Sequence, residues 1–268
     1  MFVLRTDTPL VEVVRLMVGT GLGAMPTRSE NGVGGVWTES ELLKVVRHGG
    51  GDALIDGPQH PPVTVHEGVR FRQALKVFAQ TNARVLLKVD DVGMVVDAID
   101  QPTLAQRLVD WINERQEPVD FLMRVPVTLT EDYGNLGEVV DAMLDGRVLA
   151  IPFVDSKGRL LYWLTASDLL QAWLEWGELI WDQPPVAAAR TTESLMTVPE
   201  GMALNTVLKK MMAGRVRRMP VLGGQERLCG VISMIDILAF ANEHLPQEAQ
   251  LERPGDWRPS RLAAVTTT

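Results

Sequence analysis

One pattern recurs four times along this chain of 268 residues, and it constrains the fold more tightly than any bulk property. In its last copy, Met196 to Val198 reads as a short extended segment, Pro199 to Gly201 as a turn, and Ala203 to Ala213 as a helix with apolar residues at helical spacing. Met219-Pro220-Val221-Leu222 is then a short apolar strand, Gly223-Gly224 a tight turn and Leu228 to Ser233 a second strand, with a helix beginning at Ile235. The same order runs from Val127. Glu131-Asp132 marks the turn, Val139, Val140 and Met143 a helix, Ile151 to Val154 a strand, Ser156 to Gly158 a turn and Leu160 to Leu164 a strand, with a closing helix from Ser167. Pro152 to Pro220 and Thr165 to Ser233 are both separated by 68 residues, an equality that chance rarely produces.

A weaker copy starts at Val63, with Glu67-Gly68 turning into a helix from Phe71 to Phe78, then Val85 to Val89, the Asp90-Asp91 turn and Met94 to Val96. The first copy has Val3-Leu4, a helix from Pro9 to Val18, Met25-Pro26, Gly35 to Trp37 and a closing helix from Ser40 to Val46. Proline suits the start of that helix because its amide would need no partner there. The expected organisation is a first pair over residues 1–101, with repeats at 1–48 and 60–101, and a second pair over 123–245, with repeats at 123–182 and 190–245. Between them, the polar stretch 102–122, with Trp111 and Pro118, reads as a linking helix, and the Pro-, Arg- and Thr-rich tail 246–268 as flexible.

Composition narrows the function classes. An apolar fraction of 46% with 22% charged residues describes an ordinary globular protein able to bury its own core. A net charge of -8 from scattered acids argues against nucleic acid or an anionic membrane as partner. The longest apolar stretch, Leu228 to Ala241, is too short to span a bilayer and contains Asp236. Met1 to Leu16 lack the features of a secretory signal, so a cytoplasmic location is expected. Cys229, the only cysteine, rules out an intrachain disulfide and reads as a buried thiol. His48, His60, His66 and His244 show no metal-ligand spacing, and neither a Gly-x-Ser-x-Gly nor a phosphate-loop lysine motif occurs. The expectation is a protein that is not an enzyme and requires no cofactor.

A strand, helix, strand, strand, helix unit whose last strand ends in a hydroxyl residue, two spacers and an aspartate resembles the CBS-domain family. The fourth repeat carries the resemblance best, through Arg217-Arg218-Met219-Pro220-Val221 and Gly230-Val231-Ile232-Ser233-Met234-Ile235-Asp236-Ile237-Leu238. The third is similar through Ile151 to Asp155 and Trp163 to Leu170, with Tyr162 where the family usually has glycine. The first keeps Gly35-Val36-Trp37-Thr38 and places Glu41 at the aspartate position, whereas the second is worn, with Val96 at the hydroxyl position and Ile99 at the acid. The resemblance spans about Val3 to Leu245 and implies an α/β (α+β) fold of four CBS repeats, packed as two pseudo-twofold, Bateman-type pairs. It also implies clefts for adenosine-containing ligands (AMP, ADP, ATP or S-adenosylmethionine-like), a homodimer or disc-like assembly of pairs, and a stand-alone regulatory sensor acting on some unknown protein. The alternative is a scaffold of the same fold without ligand binding.

The candidate site follows from residue chemistry as well. Ser233 and Asp236 lie at a helix start, where free amides and partial positive charge suit a phosphate. The hydroxyl donates to a phosphate oxygen while the carboxylate accepts from two ribose hydroxyls. The competing reading is a helix cap, since a hydroxyl residue followed three positions later by an acid is a capping pattern. Thr165 with Asp168, and Thr38 in the first repeat, stand in the same two readings. Arg217 and Arg218 precede the Pro-Val strand, where guanidinium forks suit phosphate oxygens or, alternatively, blunt a strand edge. Arg84 holds the comparable place in the second repeat, and the third has Leu149 and Ala150. Magnesium is expected only as a companion of bound phosphates. Gly19 to Ala24 fits a loose dinucleotide pattern in the wrong context, following a helix without leading into one. The methionines of the fourth repeat read as core filling, with one or two available to an adenine pocket. The helix Asp168 to Trp181, rich in Trp173, Trp176 and Trp181, reads either as buried packing or as a partner interface.

Overall fold

The computed structural model describes residues 4–5, 8–29, 32–49, 60–113, 116–191 and 194–246. The first repeat comprises β1 (Leu4–Arg5), α1 (Leu10–Thr20), β2 (Ala24–Ser29), β3 (Gly32–Thr38) and α2 (Glu39–His48). The second follows with β4 (Thr64–His66), α3 (Phe71–Thr81), β5 (Val85–Val89), β6 (Val95–Asp100) and α4 (Gln101–Asn113). In the third come β7 (Leu129–Thr130), α5 (Leu136–Asp145), β8 (Ala150–Val154), β9 (Leu160–Thr165), α6 (Ala166–Trp176) and an added β10 (Arg190–Thr191). The fourth holds β11 (Val198–Pro199), α7 (Leu204–Ala213), β12 (Arg218–Leu222), β13 (Leu228–Ser233) and α8 (Met234–His244).

Every repeat builds the same mixed sheet. Its first strand pairs parallel to the second across a helical crossover, and the second pairs antiparallel to the third. The register identifies equivalent residues: Ala24 faces Thr38, Val85 faces Asp100, Ala150 faces Thr165 and Arg218 faces Ser233. Each hairpin also shifts register one step before its turn, at Thr27/Arg28, Lys88/Val89, Phe153/Val154 and Val221/Leu222. Because the three central residues of β8 and of β12 are buried, these strands read as unbroken apolar runs rather than as alternating ones.

Two apolar cores result. One joins repeats 1 and 3 and takes in Val85, Leu87 and Ala98 from the second repeat; the other joins repeats 2 and 4. Helices make these joins, with α1 and α2 against α6, and α3 and α4 against α8. Strand edges instead connect neighbours in sequence, through bridges from Val36 to His60, from Arg124 to Val231 and from Arg159 to Arg227. The carboxylate of Asp141 on α5 takes both Nε and Nη2 of Arg47 on α2, at 3.2 and 2.9 Å.

Several expectations need correction. Where a linking helix is expected over 102–122, residues 101–113 form α4, the closing helix of the second repeat, with Leu104, Ala105, Leu108 and Ile112 fully buried. The second repeat is therefore intact at its end. Its hydroxyl position is occupied by Asp100 rather than Val96, and its acid position by Thr103 rather than Ile99. The tryptophan-rich helix stops at Trp176, because Gly177 adopts φ 60° and ψ -147°, and a 3-10 turn continues to Asp182. Trp173 and Trp181 are core residues whose indoles both donate to Glu178, whereas Trp176 is 52% exposed. Cys229 is half-buried, since it sits on the outer face of β13. Val3 and residues 247–268 of the expected tail lie outside the described residues.

Candidate functional site

The hydroxyl and acid pairs act as helix caps. Glu41 Oε2 accepts from the amide and hydroxyl of Thr38 at 2.9 and 3.0 Å. Asp168 Oδ2 accepts from the same two groups of Thr165, the amide at 3.0 Å, and Asp236 Oδ2 from those of Ser233, the amide at 3.1 Å. In the second repeat the roles are exchanged: Asp100 is the cap, and its Oδ1 accepts from the amide of Thr103 at 2.8 Å and from its hydroxyl. The same three-residue spacing thus survives in all four repeats, although the residue types swap ends in one.

Arginines from two repeats meet where repeats 1, 2 and 4 come together. Arg218 faces Ser233 across the β12–β13 ladder, and Arg217 lies one residue outside it. Arg84 is the counterpart of Arg217, because Val85 faces Asp100 in the same register. Arg217 reaches into the first repeat, where its Nη2 donates to Glu39 Oε1 at 2.7 Å, and Glu39 is 3% exposed. Its guanidinium lies over Gly23, at which an added Cβ would stand 1.9 Å from Nη1. Gly23 holds the arginine position of the first repeat, so the missing side chain makes the space that Arg217 fills.

A pocket at this junction is lined by residues 21–24, Arg84, Asp100, Gln101, Met211, Met212, Arg217 and Met234 among others. Among the described residues, the guanidiniums of Arg84 and Arg218 have no hydrogen-bond or ion-pair partner. Burial, then the like charges of Arg218 and Arg217, push the Arg84 guanidinium down to about 9 against the pull of Glu39, so it remains cationic at neutral pH. Burial and Arg217 lower Arg218 as well, opposed by Glu39 and Asp236. Asp100, 4% exposed, leaves its buried Oδ2 without a hydrogen-bond partner. The junction therefore offers two unpaired cations, one unpaired carboxylate oxygen and a methionine wall.

The family model described as CBS domain matches residues 119–175 and 186–243. The second half of this chain is a pair of CBS domains. The sheets and registers of the first half repeat the CBS topology described above. The crystal structure of protein MJ1225 from Methanocaldococcus jannaschii superposes with a TM-score of 0.78 at 18% identity, covering 90% of this chain and 95% of that one. An uncharacterized conserved protein from Pyrococcus horikoshii gives 0.59 at 19% identity, covering 81% and 90%. Both likenesses show that the fold of this chain is shared with those proteins. In sequence, the chain is 23% identical over 205 residues to an inosine-5'-monophosphate dehydrogenase of Aquifex aeolicus, spanning 70% of itself and 39% of that enzyme. Its match to MJ1225 is 25% identical over 186 residues, 66% of each chain.

Of the sequence-selected residues, the structure gathers Ser233, Asp236, Arg217 and Arg218 at one end of the fourth CBS repeat. Thr165 with Asp168, and Thr38 with Glu41, form the equivalent ends of the third and first. Glu39, Gly23, Asp100 and Thr103 escaped the reading of the sequence. A signal existed for the last two, since Asp100 and Thr103 keep the family spacing with the types reversed. None existed for Glu39, whose partner lies 178 residues away.

Proposed function

We propose that this chain is a regulatory protein, without catalysis of its own, that binds an adenosine nucleotide at the junction of repeats 1, 2 and 4. The observation that carries this reading is the pair of partly buried, unpartnered guanidiniums of Arg84 and Arg218 beside Arg217. Arg84 lines the pocket and Arg218 lies near it, and such unpaired cations are unfavourable alone and become favourable when phosphate oxygens arrive. Asp236 and Ser233 stand close enough to Arg218 to read the ribose, and Met211, Met212 and Met234 supply a polarizable wall for the base. The same cations disfavour S-adenosylmethionine, which has no phosphate and carries a positive sulfonium. Magnesium enters this reading only with a di- or triphosphate.

A second reading, a CBS scaffold without ligand, draws on the caps: each carboxylate of the hydroxyl and acid pairs already has partners inside the chain. A thermal-shift panel of AMP, ADP, ATP and S-adenosylmethionine, with GMP and GTP as controls, separates the two. A nucleotide at 100 times its Kd adds about 2.7 kcal/mol of stability. Stabilisation by an adenosine nucleotide, abolished in Arg84→Met and in Arg218→Met, supports the sensor; no shift with any compound leaves the scaffold.

A further inference from the structure

The three acidic partners, Glu41, Asp168 and Asp236, share a second feature. In each, one carboxylate oxygen serves the cap and the other meets a side-chain nitrogen carried by an extended segment. Glu41 Oε1 lies 2.6 Å from His60 Nδ1, Asp168 Oδ1 2.7 Å from Arg190 Nε, and Asp236 Oδ1 2.7 Å from an Arg124 Nη2. The backbones repeat as faithfully. His60 bridges Val36, Arg190 pairs with Trp163, and Arg124 bridges Val231. Those three positions all lie two residues before the capping hydroxyl, on the outer edge of the repeat's last strand.

The carriers are entry segments. His60 precedes the first strand of repeat 2, Arg190 that of repeat 4 and Arg124 that of repeat 3. Repeats 3 and 4 therefore exchange arginines, each entry segment holding the other's acid. The carboxylates are buried, 7% exposed for Asp236 and 9% for Asp168, whereas Arg124 and Arg190 are 77% and 50% exposed. Both oxygens of each acid are thus occupied, one by a group that must stay to cap the helix and one by a group that can swing into water.

We propose that Arg124 is a latch, which occupies the ribose-reading oxygen of Asp236 when no ligand is bound and is displaced when ligand enters, and Arg190 repeats its geometry on Asp168. This inference rests on the nucleotide reading and adds its regulation. Arg124 lies in the stretch that joins the two halves, tied to repeat 4 by backbone bonds from Arg124 to Val231 at 2.9 Å, from Val231 to Arg124 at 2.8 Å and from Val119 to Met202 at 2.8 Å. Displacing its side chain loosens that stretch, so occupancy of the fourth repeat becomes a change in the segment between the halves. His60 repeats the geometry on Glu41 in the first repeat.

The test combines AMP and ATP titration with amide exchange on the full chain. Arg124→Gln frees Asp236 Oδ1, and AMP is expected to bind about tenfold tighter, the worth of one hydrogen bond to a charged group. Unchanged or weaker binding in this variant overturns the latch, the second outcome making Arg124 part of the ligand's grip. Asp236→Asn and Arg124→Gln should each speed exchange of the Arg124 and Val231 amides about tenfold without any ligand. If neither does, the latch falls even where AMP binds. If neither AMP nor ATP binds to wild type or variants, the nucleotide reading falls, and the exchange rates still decide whether the ion pair holds the segment.

Discussion

Arg84 brings a positive charge into a half-buried position already facing Arg218 and Arg217, with only Glu39 opposing them. Its guanidinium is harder to protonate in the folded chain than in the unfolded one, so it lowers stability at every pH below about 9, and the penalty fades only above that value. A bound phosphate removes the same penalty by supplying the counter-charge. Arg84→Met is therefore expected to stabilise the free protein by about 1 kcal/mol in urea unfolding while abolishing stabilisation by nucleotide. A destabilised Arg84→Met would show that the arginine has an internal structural role. Gly23→Ala acts on the same cluster from the opposite wall. Its Cβ would stand 1.9 Å from Arg217 Nη1, so the guanidinium must shift, which strains its bond to Glu39, a buried acid. The expected loss is about 2 kcal/mol, measured by denaturant midpoint.

The elements owe their ends to local chemistry. Thr165 caps α6 through its hydroxyl, which accepts from the Asp168 amide at 3.2 Å, and Thr165→Ala is expected to destabilise by about 1 kcal/mol. Gly177 ends the same helix at φ 60° and ψ -147°, a conformation closed to side chains, in open space where a Cβ would meet nothing within 4 Å. Gly177→Ala thus isolates the backbone term, and thermal unfolding should show a loss of about 2 kcal/mol. Most of these ends were legible: Pro199 to Gly201, Gly158 and Gly223-Gly224 all mark turns in the sequence. The second repeat hides its close because a capping acid followed by threonine fulfils the same hydrogen bonds as a capping threonine followed by an acid. A search for the residue types in one order passes over Asp100 and Thr103, and the helix behind them then looks like a linker.

At the scale of the molecule, helices tie repeat 1 to 3 and repeat 2 to 4, while strand edges tie sequence neighbours. Each half alone would expose one face of its helices, among them Leu104 and Leu108 on α4 and Leu169 and Leu170 on α6. Residues 1–115 and 116–268, produced separately and mixed, are therefore expected to co-elute as an equimolar complex in size-exclusion chromatography with light scattering. Halves that stay monomeric and apart would mean that the helical seams contribute little to stability.

The sequence by itself determined the repeat, the order of elements in its first, third and fourth copies and the hydroxyl and acid spacing at their last helices, because each of these is set by residues a few positions apart. Only the tertiary structure decided which repeats share a core, because the apolar faces of α1 to α8 are alike in character and differ only in which neighbour the strand edges bring opposite. It alone also placed Arg217 on Glu39 and over Gly23, and Arg124 on Asp236. Those contacts join residues more than a hundred positions apart, where side-chain type carries no record of distance and only the packing of whole repeats brings charge to charge.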